Sequence, residues 1–215
     1  TQYASEYMDV EVKRDGFLYS LHFEHGENVG GLKKEPYAKK DTGTRIRFKP
    51  DIQVFTDIAV PTEYFDDTLR RQAIVNPGLL FHFRTQQGRS YEEKDYLYEH
   101  GIADYVQELT GENGLTAVQS WSAERTGRDR ADKPEYKVKL NVALCVSNKV
   151  NLLEYYHNSS WLEHGGSPDK AVRSAFVSEV DGYLRKNGKY LKNESKITFQ
   201  DIQDCLVLVS SSFST

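Results

Sequence analysis

The residues best suited to hold a small ligand lie in the stretch Lys40-Asp41-Thr42-Gly43-Thr44-Arg45-Ile46-Arg47-Phe48-Lys49-Pro50-Asp51. Two threonine hydroxyls, each able to donate and to accept, flank a glycine that can take a positive φ or let another group approach closely. The glycine opens into an alternating run, with Ile46 and Phe48 on one face and Arg45, Arg47 and Lys49 on the other, which is the period of a half-buried strand. Read alone, Gly43 and Thr44 stand at an ordinary loop-to-strand junction, a commoner reading of such a stretch than a ligand site. The chemistry they offer is hydrogen bonding, not bond cleavage.

Nothing else in the chain completes a catalytic centre. Hydrolysis of a nucleoside triphosphate needs an activated water, a general base, a metal between phosphate oxygens and donors for the terminal phosphate. The six histidines, at positions 22, 25, 82, 100, 157 and 164, show no metal-ligand spacing. Gly26-Glu27-Asn28-Val29-Gly30-Gly31 lacks the Gly-Lys-Ser/Thr of a phosphate loop and no helix pattern follows it, so it is a turn. Neither Cys145 nor Cys205 has a histidine nearby, and both sit in apolar runs that suit buried reduced thiols. A second cluster is basic: Arg173, then Arg185, Lys186, Lys189 and Lys192, at and beyond the end of a helical pattern. It suits either phosphate contacts or a solvated helix end whose charges complement the macrodipole.

The elements that must position these residues follow from periodicity. Residues 1–7 read as the end of a helix, and residues 8–13 and 17–24 as a hairpin around the Asp15-Gly16 turn. A helix opens at Pro61-Thr62, buries Phe65, Leu69 and Ala73, and ends at Asn76-Pro77-Gly78. A strand pair (79–84 and 91–98) and a helix (101–109) follow. Residues 110–114 form the best linker candidate. Beyond it come a strand (117–123), a mixed-charge loop (124–134), a long interior strand (136–146) and a further strand at 152–156 that runs on into Asn158-Ser159-Ser160-Trp161. A helix from Pro168 buries Val172, Phe176, Val180 and Leu184. Thr198 to Asp201 caps a short helix, and 206–209 is the last core segment.

Several of these stretches carry a resemblance. Asp9-Val10-Glu11-Val12-Lys13-Arg14-Asp15-Gly16 precedes Phe17-Leu18-Tyr19; Thr42-Gly43-Thr44 follows. Next come Leu69-Arg70-Arg71-Gln72-Ala73-Ile74-Val75-Asn76-Pro77-Gly78-Leu79, Leu80-Phe81-His82-Phe83, Tyr98-Glu99-His100-Gly101-Ile102 and His164-Gly165-Gly166. In that order the chain resembles the gyrase B protein of bacteria and its topoisomerase IV counterpart, nearly end to end, densely before Leu109 and sparsely after it. The resemblance implies an α+β chain. Residues 1–110 would be the C-terminal part of a GHKL-type ATPase domain. Residues 111–215 would be a transducer domain with a ribosomal-protein-like fold, incomplete at its C-terminal end.

In that family the base, the metal-binding asparagine and the glycine-rich lid precede the position of Thr1, and the γ-phosphate lysine follows that of Thr215. ATP and Mg are thus expected in the full-length parent and not bound to this chain, which would be inactive alone and hold no catalytic residue. Thr44 matches the second threonine of a Thr-Gly-Thr motif that lines the adenine pocket, and Gly43 would shape the same turn. Arg173, Arg185, Lys186, Lys189 and Lys192 would contact DNA. The implied partners are DNA, an A-type topoisomerase subunit and a second copy of the parent.

The sequence departs from the family pattern at three places. Ser159 stands where a second asparagine is usual, Ser167-Pro168 replaces Thr-His, and Gln203-Asp204-Cys205-Leu206 replaces an Arg-Glu-Gly-Leu run. These mark a divergent member. Two other readings stand beside this one: a mismatch-repair or chaperone-type ATPase with the same two-domain layout, and a non-catalytic DNA- or protein-binding module.

Composition is compatible with all three. The chain has 215 residues, 38% of them hydrophobic, with 14 tyrosines and 10 phenylalanines, enough to bury a core without a metal or a disulfide. Its 28 basic and 32 acidic residues leave a net charge of -4, so any DNA contact needs a local patch. No stretch approaches the roughly 20 apolar residues of a membrane span, and a cytoplasmic location is expected.

Overall fold

The computed structural model describes residues 1–128 and 130–214; Asp129, in the loop expected over 124–134, and Thr215 lie outside the described residues. The chain forms two compact units, Thr1–Pro61 and Thr62 onward.

The first unit is an antiparallel sheet. Its strands are β1 (Ser5–Arg14), β2 (Phe17–Glu24), β3 (Glu27–Asn28), β4 (Lys33–Pro36) and β5 (Gly43–Pro50), in the order β3-β2-β1-β5, with β4 also on β2. The hairpin expected at Asp15-Gly16 is present: Arg14 pairs with Phe17, and both turn residues take positive φ, 53° and 77°. That is the twist a two-residue turn must supply to match its strands. The helix end expected at residues 1–7 is not found. A single 3-10 turn, Gln2–Ala4, leads straight into β1, because Tyr7 is already in register with Glu24 on one side and Lys49 on the other. Pairing on both edges outweighs the local helical preference of so short a segment.

The second unit is a sheet with helices on both faces. It comprises α1 (Thr62–Val75), the hairpin β6 (Phe81–Gln87) and β7 (Ser90–Tyr96), α2 (Ile102–Thr110), β8 (Gln119–Gly127), β9 (Tyr136–Val146), β10 (Leu152–His157), β11 (Ser160–Trp161), α3 (Gly166–Lys186), α4 (Phe199–Gln203) and β12 (Leu206–Ser214). The main sheet runs β11-β10-β12-β9-β8. Among the described residues only β10 and β12 pair in parallel, and α3 and α4 form the crossover between them. On one face Ala73, Ile74 and Val106 pack with Ala143, Cys145, Val207 and Val209. On the other, Val142, Leu206 and Leu208 pack with Phe199, Ile202 and the α3 stripe Val172, Phe176 and Val180. Burial on both faces is why residues 206–209 are continuously apolar.

Three details differ from what the sequence predicts. β8 runs on to Gly127, in register with Tyr136, where a loop is expected from residue 124. Residues 158–161 do not extend β10. Asn158 and Ser159 take positive φ (47° and 63°) and turn the chain back, so that Ser160 pairs with His157. Residues 110–114, expected as a linker, include the 3-10 turn Gly111–Asn113, tied to the sheet by a hydrogen bond from Ser147 Oγ to the Asn113 carbonyl (2.8 Å). Thr110 at its start is buried.

Candidate functional site

Gly43 and Thr44 open β5, and each is exposed. With Glu11, Lys13, Thr42 and Arg45 they border a cavity of about 260 Å³ that opens on the charged face of the sheet, where Gly43 pairs with Lys13 and Arg45 with Glu11. The loop before them is held by Lys13, whose Nζ lies 2.9 Å from Asp41 and 5.1 Å from the Tyr37 ring centroid; the Tyr37 hydroxyl donates to the same carboxylate at 3.0 Å. Hydrogen bonding to Asp41, then to Tyr37, holds the Lys13 ammonium well above its ordinary range, and Lys13 in turn holds the Asp41 carboxyl below its own.

Thr44 lies opposite Val12, Ile46 opposite Val10 and Phe48 opposite Met8, so the Thr44 side chain shares a face with a run of apolar residues. The Thr44 hydroxyl has no hydrogen-bond partner among the described residues. A hydroxyl beside an apolar floor suits a flat ring carrying polar edges. The opposite face carries charge: Arg45 with Glu11 (3.6 Å), Lys49 with Glu6 (2.5 Å) and His22 with Asp9 (2.7 Å). The hydrogen bond to Asp9, then that to Glu24, raises the His22 pKa.

Two expectations for this stretch are corrected. Gly43 needs no positive φ, and an added Cβ would meet nothing within 4 Å, so neither backbone conformation nor close packing within the chain demands glycine there. Ile46 and Phe48 are not half-buried but 57% and 50% exposed. Strand periodicity sorts residues between two faces without saying what covers either; on the apolar one Lys34 lies over Phe17 and Tyr19, and Ile46 and Phe48 stay open.

The basic cluster divides in two. Arg173 is engaged: Nε donates to Asp169 (2.7 Å), Nη1 to Gln203 Oε1 (3.2 Å), and the guanidinium sits 4.6 Å from the Phe199 ring centroid, bracing α3 on α4. Arg185 pairs with Asp181 (3.1 Å), which also receives the Tyr190 hydroxyl (2.9 Å) and Lys196 (3.4 Å). Burial pushes the Asp181 carboxyl up, but these three partners together hold it below the ordinary range. Lys186, Lys189 and Lys192 have no ion pair among the described residues and are exposed where Gly188 ends α3. Three free ammonium groups at a helix C-terminus can bind phosphates without sequence preference.

The described residues contain no cluster of three or more histidine, cysteine or carboxylate side chains arranged to hold a metal ion, and no helix long and apolar enough to cross a membrane. Both cysteines are free thiols.

Comparison with known proteins agrees with this arrangement. The family model described as DNA gyrase B matches residues 101–215. The gyrase B protein of Synechocystis sp. is 26% identical over 208 residues, covering 96% of this chain and 19% of that protein. The corresponding B protein of DNA topoisomerase 4 from Enterococcus faecalis is 27% identical over 209 residues, covering 96% and 29%. The chain thus spans less than a third of the length of these curated relatives. Among solved structures, the 43K ATPase domain of Thermus thermophilus gyrase B in complex with an aminocoumarin aligns with 99% of this chain and 56% of its own, with a TM-score of 0.74 and 25% identity. The topoisomerase IV ATP-binding domain of Francisella tularensis shares the fold over 99% of this chain and 55% of its own (TM-score 0.68, 24% identity). With a family model covering more than half of its residues, this chain belongs to the DNA gyrase B family.

Proposed function

We propose that this chain is part of the ATPase subunit of an ATP-hydrolysing type II DNA topoisomerase, a divergent gyrase B-like protein, whose parent couples ATP binding and hydrolysis to DNA strand passage. The observation that carries the reading is the alignment of 99% of the chain with the ATPase domain of a gyrase B. In this reading residues 1–110 are the C-terminal part of the ATPase domain and residues 111–215 an incomplete transducer. The parent acts as a dimer with an A-type subunit and DNA, in the cytoplasm.

The residues present fit one part of a nucleotide pocket. Thr44 offers a free hydroxyl beside an apolar floor, suited to an adenine edge, and Gly43 leaves the approach open. ATP with Mg supplies the hydrolysable phosphate when bound to the parent. No group of this chain is assigned to the phosphates or to the metal, so its own contribution is to seat the base. In the second unit, Lys186, Lys189 and Lys192 would contact DNA phosphates, with Arg173 and Arg185 adding charge from within their ion pairs. The transducer's role is then population shift, its orientation differing between nucleotide states.

The test uses both the chain and its parent. The isolated chain should turn over no ATP. In the parent, assayed with its A-type partner, Thr44→Val should weaken nucleotide binding by about tenfold, the value of one hydrogen bond in a partly desolvated site. ATP turnover by the isolated chain that is indifferent to Thr44→Val would defeat the reading.

A further inference from the structure

The sheet face beneath α1 and α2 changes character along its strands. Alternate residues share a face, so on β9 it reads Cys145, Ala143, Asn141, Lys139, and on β12 Val207, Val209, Ser211. The apolar members are buried with Val106 of α2. The polar members border a cavity of about 470 Å³ whose other wall includes Ile74, Ile102 and Ala103. In register across three strands, Ser122, Asn141 and Ser211 form a polar row in which Ser122 is opposite Asn141 and Asn141 opposite Ser211.

The free valences of that row define what it can bind. Ser122 Oγ donates to Asn141 Oδ1 (2.5 Å), which turns the Asn141 amide so that its Nδ2 hydrogens remain to be given. The Ser211 hydroxyl and the Lys139 ammonium have no partner among the described residues. His100, which also lines the cavity, is engaged with Asp104, whose carboxylate accepts from the His100 backbone N–H (2.6 Å) and lies 3.0 Å from His100 Nδ1. The unpaired charge lining the cavity is therefore a single positive one, beside two neutral donors. Opposite it, Ile74 and Ile102 are 1% and 8% exposed and present hydrocarbon. A cavity of this size, with an apolar wall facing a polar one that carries a few convergent donors, can hold a small molecule.

We propose that this cavity binds a small monocarboxylate with an apolar, ring-sized body, the carboxylate on Lys139, Asn141 and Ser211 and the body against Ile74, Ile102 and Ala103. One ammonium and two neutral donors match one negative charge; a doubly charged phosphate would keep an uncompensated charge against the apolar wall. The site shares no residue with the nucleotide and DNA contacts proposed above. A ligand there would tie the first turn of α2 to β9 and β12, so the two helices and the sheet would be held more firmly when it is bound.

The experiment uses the unmodified chain in nitrogen–proton correlation NMR, titrated with naphthoate and, separately, with the neutral isostere naphthyl methanol. Naphthoate should shift the amides of Ser120, Ser122, Asn141, Ser211 and Ile102 saturably, and the alcohol should bind at least about tenfold more weakly, the loss of one charge-assisted hydrogen bond. Lys139→Met should raise the naphthoate Kd to that of the alcohol and leave the alcohol's unchanged. Absence of saturable shifts at these amides, equal binding of the two compounds, or shifts confined to other parts of the chain would overturn the proposal. Should Lys139→Met fail to fold, the two ligands on the unmodified chain still decide it.

Discussion

The guanidinium of Arg71 lies 3.7 Å from the centroid of the Trp161 ring, joining α1 to β11. Beside it Gln72 Nε2 donates to the Ser159 carbonyl (3.0 Å), so α1 grips the β10–β11 hairpin by two adjacent residues. A cation on a partly exposed aromatic face contributes about 0.5–1 kcal/mol. Arg71→Ala should lower stability in urea by about that much and speed amide exchange at Ser160 and Trp161. Arg71→Lys should cost part of that, because an ammonium keeps a charge over the ring but stacks less well than a guanidinium. An unchanged midpoint and unchanged exchange in Arg71→Ala would mean that the contact holds nothing.

Two motif glycines should respond in opposite ways to alanine. Gly165 has φ +70°, and a Cβ there would come within 2.6 Å of Asp169 Cβ at the start of α3. Gly165→Ala should therefore cost about 2–3 kcal/mol, strain and overlap acting together. Gly43 has neither constraint, so Gly43→Ala should leave the stability of this chain within about 0.5 kcal/mol of the original. Its effect, if the proposed nucleotide site is correct, would be confined to nucleotide affinity in the parent. Thermal denaturation of the two variants side by side separates the roles.

That contrast shows how far the sequence could be read. The Asp15-Gly16 hairpin and the extent of β9 were legible because turn chemistry and period-two alternation are local. The apolar stripe of α3 was legible for the same reason, at a period near 3.6. The Asn158-Ser159 turn was not, since neither residue is a glycine and the positive φ values are imposed by β11 folding back on β10. The exposure of Ile46 and Phe48 was also hidden, because alternation reports which face a residue takes and not what covers that face. Within the basic cluster, the engagement of Arg173 and Arg185 did have a signal: Asp169 and Asp181 each lie one helical turn before them. The polar row Ser122-Asn141-Ser211 had none, since its members come from three strands and meet only through register.

Alkaline conditions should unfold the second unit through its buried tyrosines. The Tyr105 hydroxyl is pushed up to about 12 by burial and then by the charge of Glu154. Burial, followed by Glu154, also raises Tyr156, whose hydroxyl donates to Glu154 Oε2 at 3.0 Å. A group whose folded pKa lies above its unfolded value of 10.0 contributes stability that is complete below that pH and lost as the pH rises through the folded pKa. Stability should thus be flat through neutrality and fall between about pH 10 and 12. Tyrosinate absorbance and circular dichroism followed together should change in one step. Tyr156→Phe removes a hydrogen bond to a charged acceptor and should cost about 1–3 kcal/mol at neutral pH. Separate tyrosinate and unfolding transitions would contradict this account.

The lysines at the end of α3 give the sharpest test of a DNA role, because charge and structure can be varied independently there. Each phosphate neutralised on duplex DNA contributes about 0.9 to the slope of log affinity against log salt concentration. Replacing Lys186, Lys189 and Lys192 together by glutamine should reduce that slope by about 2–3 and leave the denaturation midpoint unchanged, since none has an ion pair to lose among the described residues. Arg185→Gln should do the reverse to stability. It removes one of three partners from the buried Asp181 carboxylate and should lower the midpoint, most visibly near neutral pH. Because that carboxyl is held below its ordinary value of 3.8, the stability it contributes is present above that pH and lost as the pH falls through the folded value. The Arg185→Gln variant and the original should therefore converge in acid. If the triple lysine variant binds DNA with an undiminished salt slope, these lysines are a solvated helix end, and phosphate recognition belongs elsewhere in the chain.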